Sequence, residues 1–305
     1  MKNNNIDLSI VISNYNTREL LKKTLVSSIK STKNIRTEII VIDDASSDKS
    51  AEMVKNEFPK LKLVQNITNK GYSKSYNIGT KLAKGRYILH LNSDITFLGK
   101  YKLDYLLEFM DDHPKIGITG CKIVKLNGRI DLPCKRAFPT ISNIFWQTIG
   151  LSNLFPKNKL FGKYYLSYLN ENEIQPVDCL MGAFMLIRKN VFKQIGLLDE
   201  QFFIYGEDID FCYRTKKAGW EIYYNPKLIV KHHHGGTTNK SRLKHIFKFH
   251  HAMLLYYKKH LAKNNSYILN CFVYFGIATR TIGNFALDII GNLKLSLIKV
   301  FKTKK

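Results

Sequence analysis

Along the first third of the chain, short apolar runs alternate with polar turns and amphipathic stretches. Residues 8–13 form an apolar run that predicts a buried strand. The polar turn after it ends on Thr17, a predicted N-cap for a helix over 18–30. Residues 38–43 predict a second buried strand, followed by a polar turn over 44–48 and a helix to about 57. A strand over 61–65, a helix from 69 to 83 and a strand over 86–91 complete the series. Strand, polar loop and helix in repetition mean βαβ units and a mostly parallel sheet covered by helices. In such sheets the loops beyond the strand carboxyl ends build the ligand crevice. Tyr15, Asp43, Asp44, Lys70 and Asp94 all fall in those loops, so four loops converge on one edge.

After Asp94 the alternation weakens. A helix over 101–111 and a strand over 116–124 are predicted. Residues 126–176 are aromatic-rich and broken by Pro133, Pro139 and Pro156, and read as an insertion that lines or covers the site. Residues 177–187 predict one further strand, with Gly182 and Ala183 in its middle, where small residues permit close approach. A strand over 221–224 and a loop over 230–238 follow, and from Ser241 onward the pattern is helical and basic. The expectation is an α/β domain over 1–238, with a nucleotide-binding half to about 125 and an acceptor half beyond it. A basic helical extension over 239–305 completes the chain.

Composition changes this picture through charge. Lysine and arginine number 48 against 24 acidic residues, a formal net charge of +24. Such an excess demands a polyanionic neighbour: a nucleotide diphosphate, a nucleic acid or an anionic membrane. Beyond Glu221 the only acidic residue is Asp288, while lysines continue to the last position. Residues 267–279 are apolar apart from Asn270, but Arg280 ends the run after 13 residues, short of the roughly twenty a span needs. The extension is therefore expected to lie on an anionic membrane face without crossing it. The five cysteines are scattered with no CxxC pair, which argues for a reducing compartment and against a disulfide framework or zinc ribbon. The polar start, 1–7, carries no secretory signal. These features point to a cytoplasmic protein, peripheral on the inner face of the plasma membrane.

The candidate chemistry centres on residues 202–214, where Glu207, Asp208 and Asp210 are fenced by aromatic and apolar residues. Burying unneutralised carboxylates is costly, so the cluster implies a metal, a cationic partner or a catalytic duty. Plain capping of a helix start is the simpler alternative. Asp43, closing a strand, can accept the N3–H of a uracil or thymine ring, with Tyr15 available to stack on the base. Asp94 closes another strand and offers a hard oxygen to Mg²⁺ or Mn²⁺ bridging a diphosphate. His232, His233 and His234 precede Gly235 and Gly236, a tight loop able to present one imidazole to a metal. Spacing alone does not choose among the three.

Taken together, the LSIVISNYN stretch at 8–16, VIDDASSD at 41–48, NKGY at 69–72 and LNSD at 91–94 resemble family 2 glycosyltransferases. Gly182-Ala183, the segment 196–203 and GEDIDFCYR at 206–214 are similar to the rhamnosyltransferase-like branch. The resemblance runs from Leu8 to about Thr238 and implies a GT-A fold, a nucleotide-sugar donor (dTDP- or UDP-linked) and inversion at the anomeric carbon. Carried over by position, it puts Ser13, Tyr15 and Asp43 at the base, Asp94 and His233 at the metal, and Asp208 in the role of catalytic base. Asn92 stands where the fullest pattern has Asp, leaving Asp94 as that motif's only carboxylate. Glu207 and Asp210 would position Asp208 and the acceptor, Arg214 would hold a carboxylate, Lys70 would assist the diphosphate, and Asp178 and Asp199 would face the acceptor. The implied acceptor is a growing surface polysaccharide or lipid-linked glycan. A catalytically inactive glycan-binding protein of the same fold is the alternative. A nucleic-acid binder is disfavoured, since no such module is recognisable and the acidic cluster would repel a phosphate backbone.

Overall fold

The computed structural model describes residues 6–100, 102–234 and 242–302, with side chains in the last helix described as far as 289. The chain divides into two compact units, Met1–Phe203 with Glu207–Thr237, and Ile204–Gly206 with Thr238–Lys305.

The first unit opens as the apolar pattern predicts: β1 (Leu8–Asn14), α1 (Arg18–Ser31), β2 (Thr37–Asp43), α2 (Ser50–Glu57), β3 (Lys62–Gln65), α3 (Tyr72–Leu82) and β4 (Tyr87–Asn92). Strands β1, β2 and β4 bury consecutive residues, among them Ile10, Val11, Ile12, Ile40, Val41 and Leu91. A parallel sheet covered on both faces requires that continuity. The register sets Asn14 beside Asp43 and Ser13 beside Asn92, so the three carboxyl ends are level.

Then come β5 (Ile95–Leu98), α4 (Leu103–Asp112), β6 (Ile116–Val124), β7 (Lys135–Arg136), α5 (Ile141–Thr148), α6 (Leu151–Leu154), β8 (Gln175–Pro176) and β9 (Cys179–Leu180). The unit closes with β10 (Phe184–Arg188), α7 (Lys189–Ile195), α8 (Glu207–Lys217) and β11 (Glu221–His232). Among the described residues the main sheet runs β3-β2-β1-β4-β10-β6-β11-β5, with β8 on β11, while β7 and β9 pair separately. Strand β10 is antiparallel to both β4 and β6, which makes the sheet mixed.

Two expectations change. The single strand over 177–187 is broken at Met181–Ala183. There the Gly182 N–H donates to Asp208 Oδ2 (3.0 Å) and its carbonyl accepts from the Tyr72 hydroxyl (2.6 Å). These backbone groups serve side chains instead of a ladder. The loop expected from Val230 is strand as far as His232, paired with β5 and, up to Lys231, with β6. Val230 and His232 are buried and Lys231 between them is not, the period-2 alternation of a strand. The remainder of that loop, from Gly235, lies outside the described residues.

In the second unit α9 (Arg242–Tyr256) and α10 (Tyr267–Lys302) pack side by side. Among the described residues no helix is long and apolar enough to cross a membrane.

Candidate active site

A polar network joins the carboxyl ends of β1, β2 and β4. Asn14 Nδ2 donates to Asp43 Oδ1 (3.0 Å), and Asn14 Oδ1 accepts from the Thr17 hydroxyl (2.6 Å). Thr17 Oγ1 lies 2.8 Å from Ser93 Oγ on the loop after β4. Thr17 precedes α1 as predicted, but its side chain makes no cap hydrogen bond. Asp48 takes that duty from another loop, accepting the Arg18 N–H (2.8 Å) as well as the Ser50 N–H at the start of α2. Asp43 is buried and also accepts from the Ser46 N–H (3.1 Å). A carboxylate has about four acceptor sites, so lone pairs remain for a ligand. Tyr15 is 40% exposed on the neighbouring loop, and Ser13 is half-buried.

Asp44 differs from the expectation. Its carboxylate is committed to the loop before α3, accepting from Asn66 Nδ2 (2.8 Å) and from the N–H groups of Lys70 (2.8 Å) and Gly71 (2.9 Å). The side chain of Lys70 is exposed. Gly71 has φ +84°, and a Cβ there would meet the Phe203 carbonyl oxygen at 2.6 Å, so only glycine fits this approach.

Asp94 sits in the turn between β4 and β5. His232 Nε2 lies 3.2 Å from Asp94 Oδ1, and its Nδ1 faces Asp131 Oδ2 at 3.5 Å. The resemblance favoured His233, but the imidazole beside Asp94 is that of His232. On a strand, neighbouring side chains point to opposite faces: the His233 ring goes to Thr96 Oγ1 (3.0 Å), and its backbone N–H donates to Asp94 O (3.0 Å). His234 Nε2 returns to Asp131 Oδ2 at 2.6 Å, so Asp131, His232 and His234 hold three ligand atoms within 4.8 Å. Although burial opposes its charge, the two carboxylates raise the His232 pKa to about 9, and these imidazoles hold Asp131 below the usual carboxylate range. Two donors at about 2.1 Å in adjacent octahedral positions stand about 3 Å apart, which the Asp94–His232 spacing matches. The Asp131 carboxylate stands behind His232, 3.5 Å from an Nδ1 that has no hydrogen-bond partner among the described residues, on the side from which a carboxylate can orient a metal-binding imidazole.

Across the β4–β10 junction lies the acidic cluster. Asn92 N–H donates to Ala183 O (3.0 Å), which brings Gly182 and the start of α8 beside the Asp94 loop. The three acids occupy the first turn of α8, where the helix dipole favours them. Asp208 Oδ2 accepts from Arg136 (2.6 Å) and from the Gly182 N–H (3.0 Å), while among the described residues Oδ1 accepts only the Ile209 N–H (2.8 Å). Burial, then the neighbouring Asp208 charge, push the Glu207 carboxyl well above its ordinary range, and its Oε2 has no hydrogen-bond partner among the described residues. A Cβ on Gly182 would meet Tyr72 Oη at 2.9 Å and Asp208 Cβ at 3.4 Å.

The remaining expected residues each have a local partner in the fold. Asp210 is fully buried and pairs with Arg214 (2.8 Å), whose other nitrogens donate to Ile195 O and Leu197 O. Arg214 thus does hold a carboxylate, but it ties α8 to the loop after α7. Asp178 pairs with Lys216 (2.5 Å) at the surface, and Asp199 caps its own turn by accepting the Gln201 N–H (3.0 Å). Sequence reasoning missed Arg136 and Asp131, both inside the stretch read as an insertion.

Comparison with known proteins gives the family and the fold. Residues 9–196 match the profile of glycosyl transferase family 2. An N-acetylglucosaminyl-diphospho-decaprenol L-rhamnosyltransferase of Mycobacterium tuberculosis is 26% identical over 229 residues, covering 72% of this chain and 73% of the relative. The low-salt glycan biosynthesis hexosyltransferase Agl10 of Haloferax volcanii is 29% identical over 222 residues, covering 71% and 64%. Among solved structures, GalNAc-T7 with UDP, GalNAc and Mn²⁺ superposes with a TM-score of 0.56 at 20% identity, over 76% of this chain and 45% of that one. S. aureus TarS gives 0.52 at 19% identity, over 79% and 38%. These two likenesses show the fold, which is GT-A. The chain belongs to glycosyl transferase family 2.

Proposed function

We propose that this transferase moves a sugar, with inversion, from a dTDP- or UDP-linked donor to a hydroxyl of a surface polysaccharide or lipid-linked glycan. Rhamnose is the favoured sugar, a reading supported by the rhamnosyltransferase relative. Residues to about 125 bind the nucleotide, those to about 238 serve the acceptor, and the helical extension keeps the enzyme on the inner, anionic face of the plasma membrane. Tyr15 stacks on the base, Asp43 accepts its N3–H, Ser13 lies alongside, and Lys70 reaches the diphosphate.

The observation that carries the reading is the Asp94–His232 pair, 3.2 Å apart with Asp131 behind the imidazole. Those two residues would hold Mg²⁺ or Mn²⁺, which when bound neutralises charge developing on a diphosphate leaving group. A sugar hydroxyl is a weak nucleophile near neutral pH and needs a base within hydrogen-bond reach. Asp208 takes that proton on Oδ1, because Oδ2 is anchored by Arg136 and the Gly182 N–H. Glu207, kept protonated by burial beside Asp208, donates to and orients the incoming hydroxyl.

The test pairs a thermal-shift screen of nucleotide-sugars, with and without Mn²⁺, with a transfer assay of Asp208→Asn. The correct donor raises Tm more with the ion than without it. Asp208→Asn keeps that shift and loses roughly 10²–10⁴-fold in rate. Full transfer in excess chelator would remove the metal from the reading, and wild-type rates from folded Asp208→Asn would remove Asp208.

A further inference from the structure

Helix α10 is inverted relative to a helix that faces water. Asn270, Asn284 and Asp288 turn towards the rest of its own unit, while the exposed Thr279 gives its hydroxyl to the Phe275 carbonyl of the same helix (3.0 Å). Asn270 accepts from the Tyr257 hydroxyl (2.6 Å) and donates to Ala262 O (3.0 Å). Asn284 hydrogen-bonds His250 (3.3 Å), and Asp288 is buried. The opposite side carries Ile268, Phe272, Phe275, Ile282 and Leu287, all of them 69% exposed. Only small residues, such as Gly276 and Gly283, lie between them, and a Cβ on either would meet nothing within 4 Å. At about 100° and 1.5 Å per residue, this apolar surface covers an arc of about 200° and a length of about 33 Å. It holds no charge, since Arg280 is only partly exposed at its margin. A surface helix in water turns its polar face outward, and a continuous apolar patch of this extent marks a surface with a partner.

The arc and the charge together select that partner. A second copy of the helix would cover a seam of two positions in seven and leave much of the arc wet, whereas lipid covers all of it. The exposed charge of this unit among the described residues is positive: Lys244, Lys258 and Lys263 are exposed, and Lys294 and Lys299 follow in sequence. The one acidic residue beyond Glu221 is the buried Asp288. Basic residues fringing an apolar face are complementary to anionic headgroups.

We infer that the outer face of α10, from Ile268 to Ile289, lies in the headgroup–acyl boundary of an anionic bilayer, with the helix in the membrane plane. This rests on the membrane-surface reading above and gives it an element and a face.

Cys271 lies on this arc and is exposed, whereas the other four cysteines are buried. It is labelled in the full-length protein with an environment-sensitive thiol probe, and the protein is mixed with phosphatidylglycerol-containing or pure phosphatidylcholine vesicles. The expected result is a blue shift, and quenching by a lipid-borne quencher, with the anionic vesicles and much less with the neutral ones. In unlabelled protein, Phe272→Glu/Phe275→Glu should weaken vesicle binding by more than about tenfold without lowering Tm. Absence of all vesicle binding overturns the membrane-surface reading and this inference together. Vesicle binding with an unshifted, unquenched probe overturns the assignment of α10 alone. A lipid-free dimer that shields the probe assigns the face to a second copy, and resistance to carbonate extraction replaces the in-plane helix with a span.

Discussion

His232 and His233 occupy opposite faces of one strand end, and that single-residue offset separates two roles. His232 is buried between Asp94 and Asp131, whereas the His233 ring meets Thr96. Replacement by Asn should therefore divide the pair. His232→Asn is expected to weaken Mn²⁺ binding, read by electron paramagnetic resonance with nucleotide present, by about ten- to a hundredfold, a typical cost for a disturbed metal site. His233→Asn should leave that titration within about twofold of wild type, and equal losses from both would contradict the assignment. The choice was legible in principle: once 230–232 is strand, period 2 puts 232 on one face and 233 on the other. Asp94 and Asp208 could be singled out as candidates because each stands in a recognisable local motif. Arg136 was not, for it meets Asp208 from 72 residues away and no pattern around it marks the pairing.

At the scale of the element, the break between β9 and β10 touches the candidate cleft through Gly182. Gly182 spends both backbone groups on side chains, its N–H on Asp208 and its carbonyl on Tyr72. The sequence placed small residues here for close approach, which holds, but predicted a continuous strand, which does not. Apolar residues continue on both sides of the break, so a hydrophobicity pattern cannot register it. Gly182→Ala should expose the cost. Its Cβ would stand 2.9 Å from Tyr72 Oη, so the Tyr72 hydroxyl must yield and strain its bond to the Gly182 carbonyl, whereas Asp208 Cβ at 3.4 Å is in ordinary contact. Overpacking of this kind costs about 1–3 kcal/mol. The expected outcome is a lowered Tm together with a fall in kcat that exceeds any rise in KM for the donor. Unchanged kcat with lowered Tm would show that the loop only stabilises the fold.

For the whole molecule, the parallel half of the sheet was legible because repeated strand–helix alternation fixes strand direction. The antiparallel β10 and β5 were not, since a short apolar run carries no sign of its direction or neighbour. Among the buried titratable groups of this core, His90 on β4 is one whose effect should reach global stability. Its ring lies between Tyr76 and Phe192, with centroids at 4.6 and 5.6 Å, and Nε2 is 2.8 Å from Thr80 Oγ1. Burial without an anionic partner depresses its pKa from 6.5 to about 3. The folded state therefore holds His90 neutral, while the unfolded chain protonates it below about pH 6.5. Between those two values the unfolded state binds the extra proton, so this contribution is complete above about pH 6.5 and shrinks as pH falls towards 3. By pH 5 the loss is about 2 kcal/mol. Self-repulsion of a chain at +24 adds its own acid lability, so the contribution of His90 has to be read as a difference. Urea unfolding of wild type and His90→Asn at pH 7.5 and pH 5 supplies it. The variant should be less stable at pH 7.5, having lost ring packing, yet lose about 2 kcal/mol less than wild type on acidification. Parallel losses in the two proteins would mean that His90 keeps its charge on folding, and would assign the acid lability to the surface.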